Sequence, residues 1–295
     1  TFDIGGTSNM TGSFTGLAAG TYTITVTDDN MCTTVCADVV LSNPDELMCS
    51  VDFVKNERCD DADDGMITVS ATGGTGMGTY TFTDGTTTNN DGVFINLMAG
   101  VYSITVTDDN MCTTSCADIT ITEPDPLVCT IESTKNERCN EDDDGEITVS
   151  AMGGTAPYTF DIGGGNTNMT GVFTGLSAGT YSITITDDSM CVTTCMDVTI
   201  TEPDPLMCML ESTKNERCNE DDDGEITVSA MGGTAPYTFD IGGGNTNMTG
   251  VFTGLMAGTY SITVTDDSMC VTTCMDVTIT QPEPLMCTIE STKNE

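Results

Sequence analysis

The chain has 295 residues, with 46 Asp and Glu against seven Lys and Arg, a formal charge of −39, and neither His nor Trp. A negative field of this density excludes nucleic acid and anionic membrane as partners, and leaves cations, cationic surfaces or further copies of the chain. Hydrophobic residues at 38% allow real cores, while no apolar run reaches the roughly 18 residues of a spanning helix, so membrane insertion is not expected.

Taken in order, the chain repeats itself. Residues 1–45 open on "TFDIGG", the equivalent of 159–164, and are expected to be a partial module holding last strands only. Residues 46–125, 126–204 and 205–283 read as three β-sandwich modules, and 284–295 as the start of a further one. Modules 126–204 and 205–283 differ at seven positions, among them Ser177/Met256 and Glu202/Gln281. The incomplete ends predict a window of a longer array.

Within 126–204 the hydrophobic period is two, which predicts strands. "EITVSAM" puts Ile147, Val149 and Ala151 on one face; "PYTFDI" does so with Tyr158, Phe160 and Ile162, and "GTYSITITD" with Tyr181, Ile183 and Ile185. Gly153-Gly154, "GGGN" at 163–166 and "TDDSM" at 186–190 punctuate these runs as turns. About seven short strands per module predict an all-β fold: a tandem array of immunoglobulin-like β-sandwich modules, about 79 residues each. Short "TEPDPL" links predict that the modules stack end to end.

"GEITVSAMGGTAPYTFDI", "GLSAGTYSITITDDSMC" and "DVTITEPDP" resemble the SprB-type repeat of Bacteroidota gliding adhesins and related secreted surface proteins. The resemblance implies secreted, repetitive, surface-attached chains without catalysis. Two features depart from it. Met31, Met111, Met190 and Met269 stand directly before Cys where the family usually has Gly, and each module carries two extra Cys, at the positions of Cys49 and Cys116.

Fifteen Cys without His point to disulfides in an oxidising compartment, and so to an extracellular or cell-surface location. Four Cys per module allow three pairings. Cys112 and Cys116, four apart on a strand, are about 13 Å apart at ~3.3 Å per residue, too far for a bond. Parallel first and last strands bring Cys49 to Cys116, Cys129 to Cys195 and Cys208 to Cys274. Cys59–Cys112, Cys139–Cys191 and Cys218–Cys270 follow by elimination, as the resemblance also suggests, leaving Cys32, Cys36 and Cys287 unpaired. The competing scheme staples successive modules, Cys36 to Cys49 and Cys116 to Cys129. Strand alternation places Cys191 and Cys195 on the outward face, opposite Val192, Met196 and Val198.

All seven cations sit in copies of K-N-E-R beside the densest acidic run: Lys55, Arg58, Lys135, Arg138, Lys214, Arg217 and Lys293. "NEDDDG" places Asn140, Asp142 and Asp144 before Gly145 in the order that opens a calcium loop, and Asn219, Asp221 and Asp223 repeat it. Position twelve, where a bidentate Glu belongs, is Ala151 or Ala230, so the competing reading is a solvated acidic loop whose repulsion is relieved by Lys135 and Arg138. Lys135, Arg138, Lys214 and Arg217 are also candidate docking points for an acidic neighbour. Asn9, Asn168 and Asn247 head N-M-T sequons, candidate glycosylation sites.

No catalytic constellation is present in the sequence. The function expected is an extracellular structural fibre or adhesin stalk of disulfide-stapled repeats, associating with copies of itself. The alternative is a calcium-dependent or glycan-binding cell-surface module whose partners are surface glycans.

Overall fold

Alternation with a period of two becomes sheet wherever one face can be buried, and in residues 126–204 it yields seven strands. The computed structural model describes residues 1–75 and 78–291, and forms two units, Thr1–Pro124 and Asp125–Glu295. Lys293 lies outside the described residues.

In 126–204, the first strand (Val128–Lys135) and the strand Val172–Leu176 flank Gly145–Met152 in a three-stranded antiparallel sheet. The second sheet runs in the order Thr167–Asn168, Thr159–Asp161, Gly179–Thr186, Val192–Ile200. Ile147, Val149, Phe160, Phe173, Ile183 and Ile185 fill the space between the sheets, with Tyr158, Ile162 and Tyr181 at the margin. These are the faces that alternation selects, and the arrangement is an immunoglobulin-like sandwich. Removing a side chain such as Ile183 down to Ala would cost about 2–5 kcal/mol.

Residues 205–283 repeat this core with Ile226, Val228, Phe239, Phe252, Ile262 and Val264. In the first unit, 46–125 does the same with Ile67, Val69, Phe82, Phe94, Ile104 and Val106. Residues 1–45 form a four-stranded sheet, Thr7–Asn9, Phe2–Ile4, Ile24–Thr27, Thr33–Val35, and a separate pair, Gly20–Tyr22 with Val39–Leu41. Their apolar slot, lined by Ile4, Phe14, Leu17, Tyr22, Ile24 and Leu41, is open on one side. No residues of 1–45 supply the two strands that close this slot in the other repeats.

The last strand corrects the expected facing of Cys195. Tyr181 pairs with Val198 but Ile183 with Cys195, so the last strand carries one extra residue, and Asp197 adopts φ 60° there. This β-bulge resets the alternation. Cys195 and Val198 therefore both enter the core, while Val192 and Met196 stay exposed.

Two devices fix the ends of the sandwich. Tyr181 donates its hydroxyl to Ser177 O at 2.8 Å, and Tyr22, Tyr102 and Tyr260 make the same bond four residues back in the other repeats. At the other end Gly153, at φ 73°, packs so closely under the incoming chain that a Cβ would lie 2.0 Å from Pro126 O. Only glycine fits.

Candidate functional site: the joint between modules

Each module has a leading end, where the chain comes in, and a trailing end, where it leaves. At the trailing end of 126–204 the phrase "NERCNEDDDG" is tied to the departing chain. Glu137 N donates to Thr201 O at 3.0 Å, Asn136 Oδ1 accepts from Thr201 N at 3.0 Å, and Glu202 Oε2 accepts from Glu141 N at 2.8 Å. Glu137 is buried, and its Oε2 accepts from the amides of Asp142 and Asp143. It acts as an internal cap for a loop in which Glu141 and Asp143 both take positive φ.

The cations complete this loop. Asp144 Oδ2 receives Arg138 Nε and, at 3.2 Å, Lys135 Nζ, while Oδ1 receives Arg138 N at 2.9 Å. Arg138 also reaches Asp142 at 3.1 Å. One repeat on, Arg217 and Lys214 engage Asp223 in the same way, and Arg58 and Lys55 engage Asp64 in the first unit. The Arg138 side chain, then its amide, holds the Asp144 carboxyl well below the usual carboxylate range. The amide and side chain of Arg217 hold Asp223 down to about 2. The cations of these pairs are exposed, so solvent screens them and they order the loop more than they stabilise the module.

Calcium ligation by Asn140, Asp142 and Asp144 would need those oxygens to converge, whereas Asp142 and Asp144 turn to Arg138. Asp221 and Asp223 turn to Arg217 in the same manner. Among the described residues no group of three or more acidic or thiol side chains is placed to hold a metal ion. Lys135, Arg138, Lys214 and Arg217, expected to dock a neighbour, pair within their own loop. Asn9, Asn168 and Asn247 each close a tight turn: Asn168 Nδ2 donates to Val172 O at 3.0 Å and Oδ1 accepts from Gly171 N at 2.7 Å, and the other two repeat this. The nitrogen that would carry a glycan is already hydrogen-bonded.

The leading end is built on a buried aspartate. Asp187 begins the turn before the last strand; its Oδ2 accepts from Thr155 N and its Oδ1 from Cys191 N at 2.8 Å. Asp266 makes the same contacts with Thr234 and Cys270. In the first unit Asp108 bonds to Thr75, Asn110 and Cys112. Burial pushes the Asp108 carboxyl up, but the hydrogen bonds from Thr75 and Cys112 prevail and hold it down to about 2. Alternation cannot reveal these aspartates; the recurring "TDD" before every Met-Cys pair is the one signal for them.

The cysteines connect the ends. Cys49–Cys116, Cys129–Cys195 and Cys208–Cys274 join the first strand of a module to its last, with Cα atoms 5.4, 5.6 and 5.1 Å apart. The other class departs from expectation. Cys139 bonds to Cys270, 131 residues on, not to Cys191, and Cys270 therefore does not pair with Cys218. Cys112 and Cys218 are free, exposed thiols, so the Cys59–Cys112 and Cys218–Cys270 bonds are not made.

The reason is geometric. Cys139 lies at the trailing end beside Thr201, and Cys191 at the leading end before Val192. The nine-residue last strand puts about 30 Å between those ends at ~3.3 Å per residue, whereas a disulfide needs Cα atoms about 4.4–6.8 Å apart. The leading hairpin of 205–283 is the one within reach. There Cys139, Asn140, Pro205, Leu206, Cys270 and Val271 line a small pocket, and Cys270 Sγ lies 3.4 Å from Arg138 O.

The sequence also matches a known family at 51–87, 131–167 and 210–246, each match starting inside a module's first strand. All three segments match the SprB repeat. Similarity to solved structures is low along the chain. Three N-terminal domains of the outer capsid protein Hoc of bacteriophage RB49 share 14% identity over 80% of this chain and 100% of that one, with a TM-score of 0.33. A tetra-tandem repeat from the extending region of a large adhesion protein shares 14% over 90% and 83%, at 0.30. Extracellular domains 3–5 of Drosophila OTK share 12% over 74% and 91%, at 0.27. No curated protein matches the chain.

Proposed function

We propose that this chain is a stretch of an extracellular structural fibre or adhesin stalk, in which SprB repeats serve as disulfide-stapled load-bearing modules that associate with copies of themselves. One observation carries the reading: the Cys139–Cys270 bond fastens one module to the next, in addition to the bond inside each. A binding module gains nothing from a covalent joint, whereas a stalk does. Near-identical modules favour mechanics or avidity over turnover, since a catalyst needs one concave site rather than copies of an open loop. Disulfides on this scale suit an oxidising exterior, and among the described residues no helix is long and apolar enough to cross a membrane.

Two measurements on the full chain test this. Electron microscopy of the oxidised chain at rising concentration is expected to show end-to-end or side-by-side assemblies, and a glycan array to show no saturable binding. A chain that stays monomeric and binds a glycan tightly would overturn the reading in favour of a glycan-binding surface module.

A further inference from the structure

We infer that the disulfides of the second unit form a two-path covalent ladder, so that axial tension crosses the module joint without releasing folded chain even when any one of its bonds is missing. The inference deepens the load-bearing reading above. It rests on connectivity alone, followed from Pro126 to Glu283.

Along the backbone those residues are 157 steps apart. The first covalent route runs three steps from Pro126 to Cys129, crosses to Cys195, runs thirteen to Cys208, crosses to Cys274 and runs nine to Glu283, 25 steps in all. The second runs thirteen steps from Pro126 to Cys139, crosses the joint to Cys270 and runs thirteen to Glu283, 26 steps. The routes differ by a single residue. Fully drawn out at ~3.5 Å per step, either reaches about 90 Å, against about 550 Å for the unlinked chain.

The near-equality has a structural origin. Route one crosses each sandwich between its first and last strands, near the leading end, and descends the last strand. Route two descends the first strand and its acidic loop, then crosses the joint. First and last strands run the same way over nearly the same length, eight and nine residues, so the two descents match. The joint bond is therefore a bypass as well as a staple. Without it, loss of Cys208–Cys274 would leave 91 steps between Pro126 and Glu283, three to Cys129 and 88 from Cys195, which is 66 more than the intact ladder.

Single-molecule stretching of the full chain, held at its two ends, tests the ladder through the contour length at full extension. The double variants Cys139→Ser/Cys270→Ser and Cys208→Ser/Cys274→Ser should each match the wild type to within a few ångström. The fourfold variant should gain about 230 Å, 66 steps at ~3.5 Å. Wild type in excess thiol reductant, which needs no variant to fold, should lengthen further still. A gain near 230 Å in either double variant, or none in the fourfold variant, would overturn the ladder. Stretching reads one chain at a time, so a chain that forms no assemblies would sink the fibre reading and leave this result standing, and the reverse holds equally.

Discussion

Asp187 Oδ2 lies 2.7 Å from the amide nitrogen of Thr155, so one buried carboxylate ties the last hairpin to the turn after the second strand. Asp187→Ala strands that amide and the amide of Cys191 without an acceptor, a loss of about 1–3 kcal/mol. Hydrogen exchange at Thr155 and Cys191 should accelerate about fivefold or more. Unchanged protection at both amides would contradict the role given to Asp187.

The Tyr181 hydroxyl closes the corner before the sixth strand at Ser177 O. Tyr181→Phe keeps the ring and removes the bond, so destabilisation of about 0.5–1.5 kcal/mol is expected. The thermal midpoint of the full chain should fall, and Tyr260→Phe should behave alike, because Tyr260 makes the same bond to Met256 O.

Acid should loosen the chain in a defined window. Asp108 and Asp223 are both held down from the ordinary 3.8 to about 2. A carboxyl depressed by folding contributes its full stability above the unfolded value and loses it as pH falls through the folded one. Melting temperature should therefore be flat above about pH 5 and decline towards pH 2. Asp108→Asn should lower stability at neutral pH and flatten that decline; an unaltered acid slope would show that other carboxylates set it.

Met31, Met111, Met190 and Met269 occupy the left-handed region at φ 65–69°, where the turn geometry that favours Gly persists although Gly is absent. Met190 is largely exposed, so little packing is lost on replacing it. Met190→Gly should stabilise by roughly 0.5–1 kcal/mol, the relief of the left-handed penalty less the added entropy of the unfolded chain. A lower melting temperature would mean that the added entropy of the unfolded chain outweighs the relief of the left-handed penalty.

Arg138→Glu sets a like charge beside Asp142 and Asp144. Faster hydrogen exchange in residues 136–145, with assembly unaltered, is expected from its pairing inside the loop, and 1 M salt should narrow the difference from wild type. Loss of assembly without local loosening would instead support docking between modules.

Much of this architecture can be read from residues alone, because the pattern that forms a strand is local. Ile147, Val149, Phe160, Ile183 and Ile185 alternate with polar neighbours, and any sheet that buries one must bury the rest. The first-to-last strand disulfides were legible on the same ground, from parallel strands with Cys near their starts. The acidic loop was half legible: its order of Asn and Asp suggested a metal, the missing Glu at position twelve favoured local ion pairs, and the Asp142 and Asp144 side chains turn to Arg138.

What the sequence by itself determined is the repeat, the period-two strands and hence the sandwich. The tertiary structure alone decided which face Cys195 takes and which partner Cys139 finds. An extra residue at Asp197 shifts the alternation by one, and no local pattern marks a bulge before strands pair. Cys139 and Cys191 share a module yet sit at opposite ends of it, while Cys270, 131 residues away, lies across the joint. Separation along the chain says nothing of this, since a disulfide is governed by distance in space, and that distance exists only once two modules have folded and met.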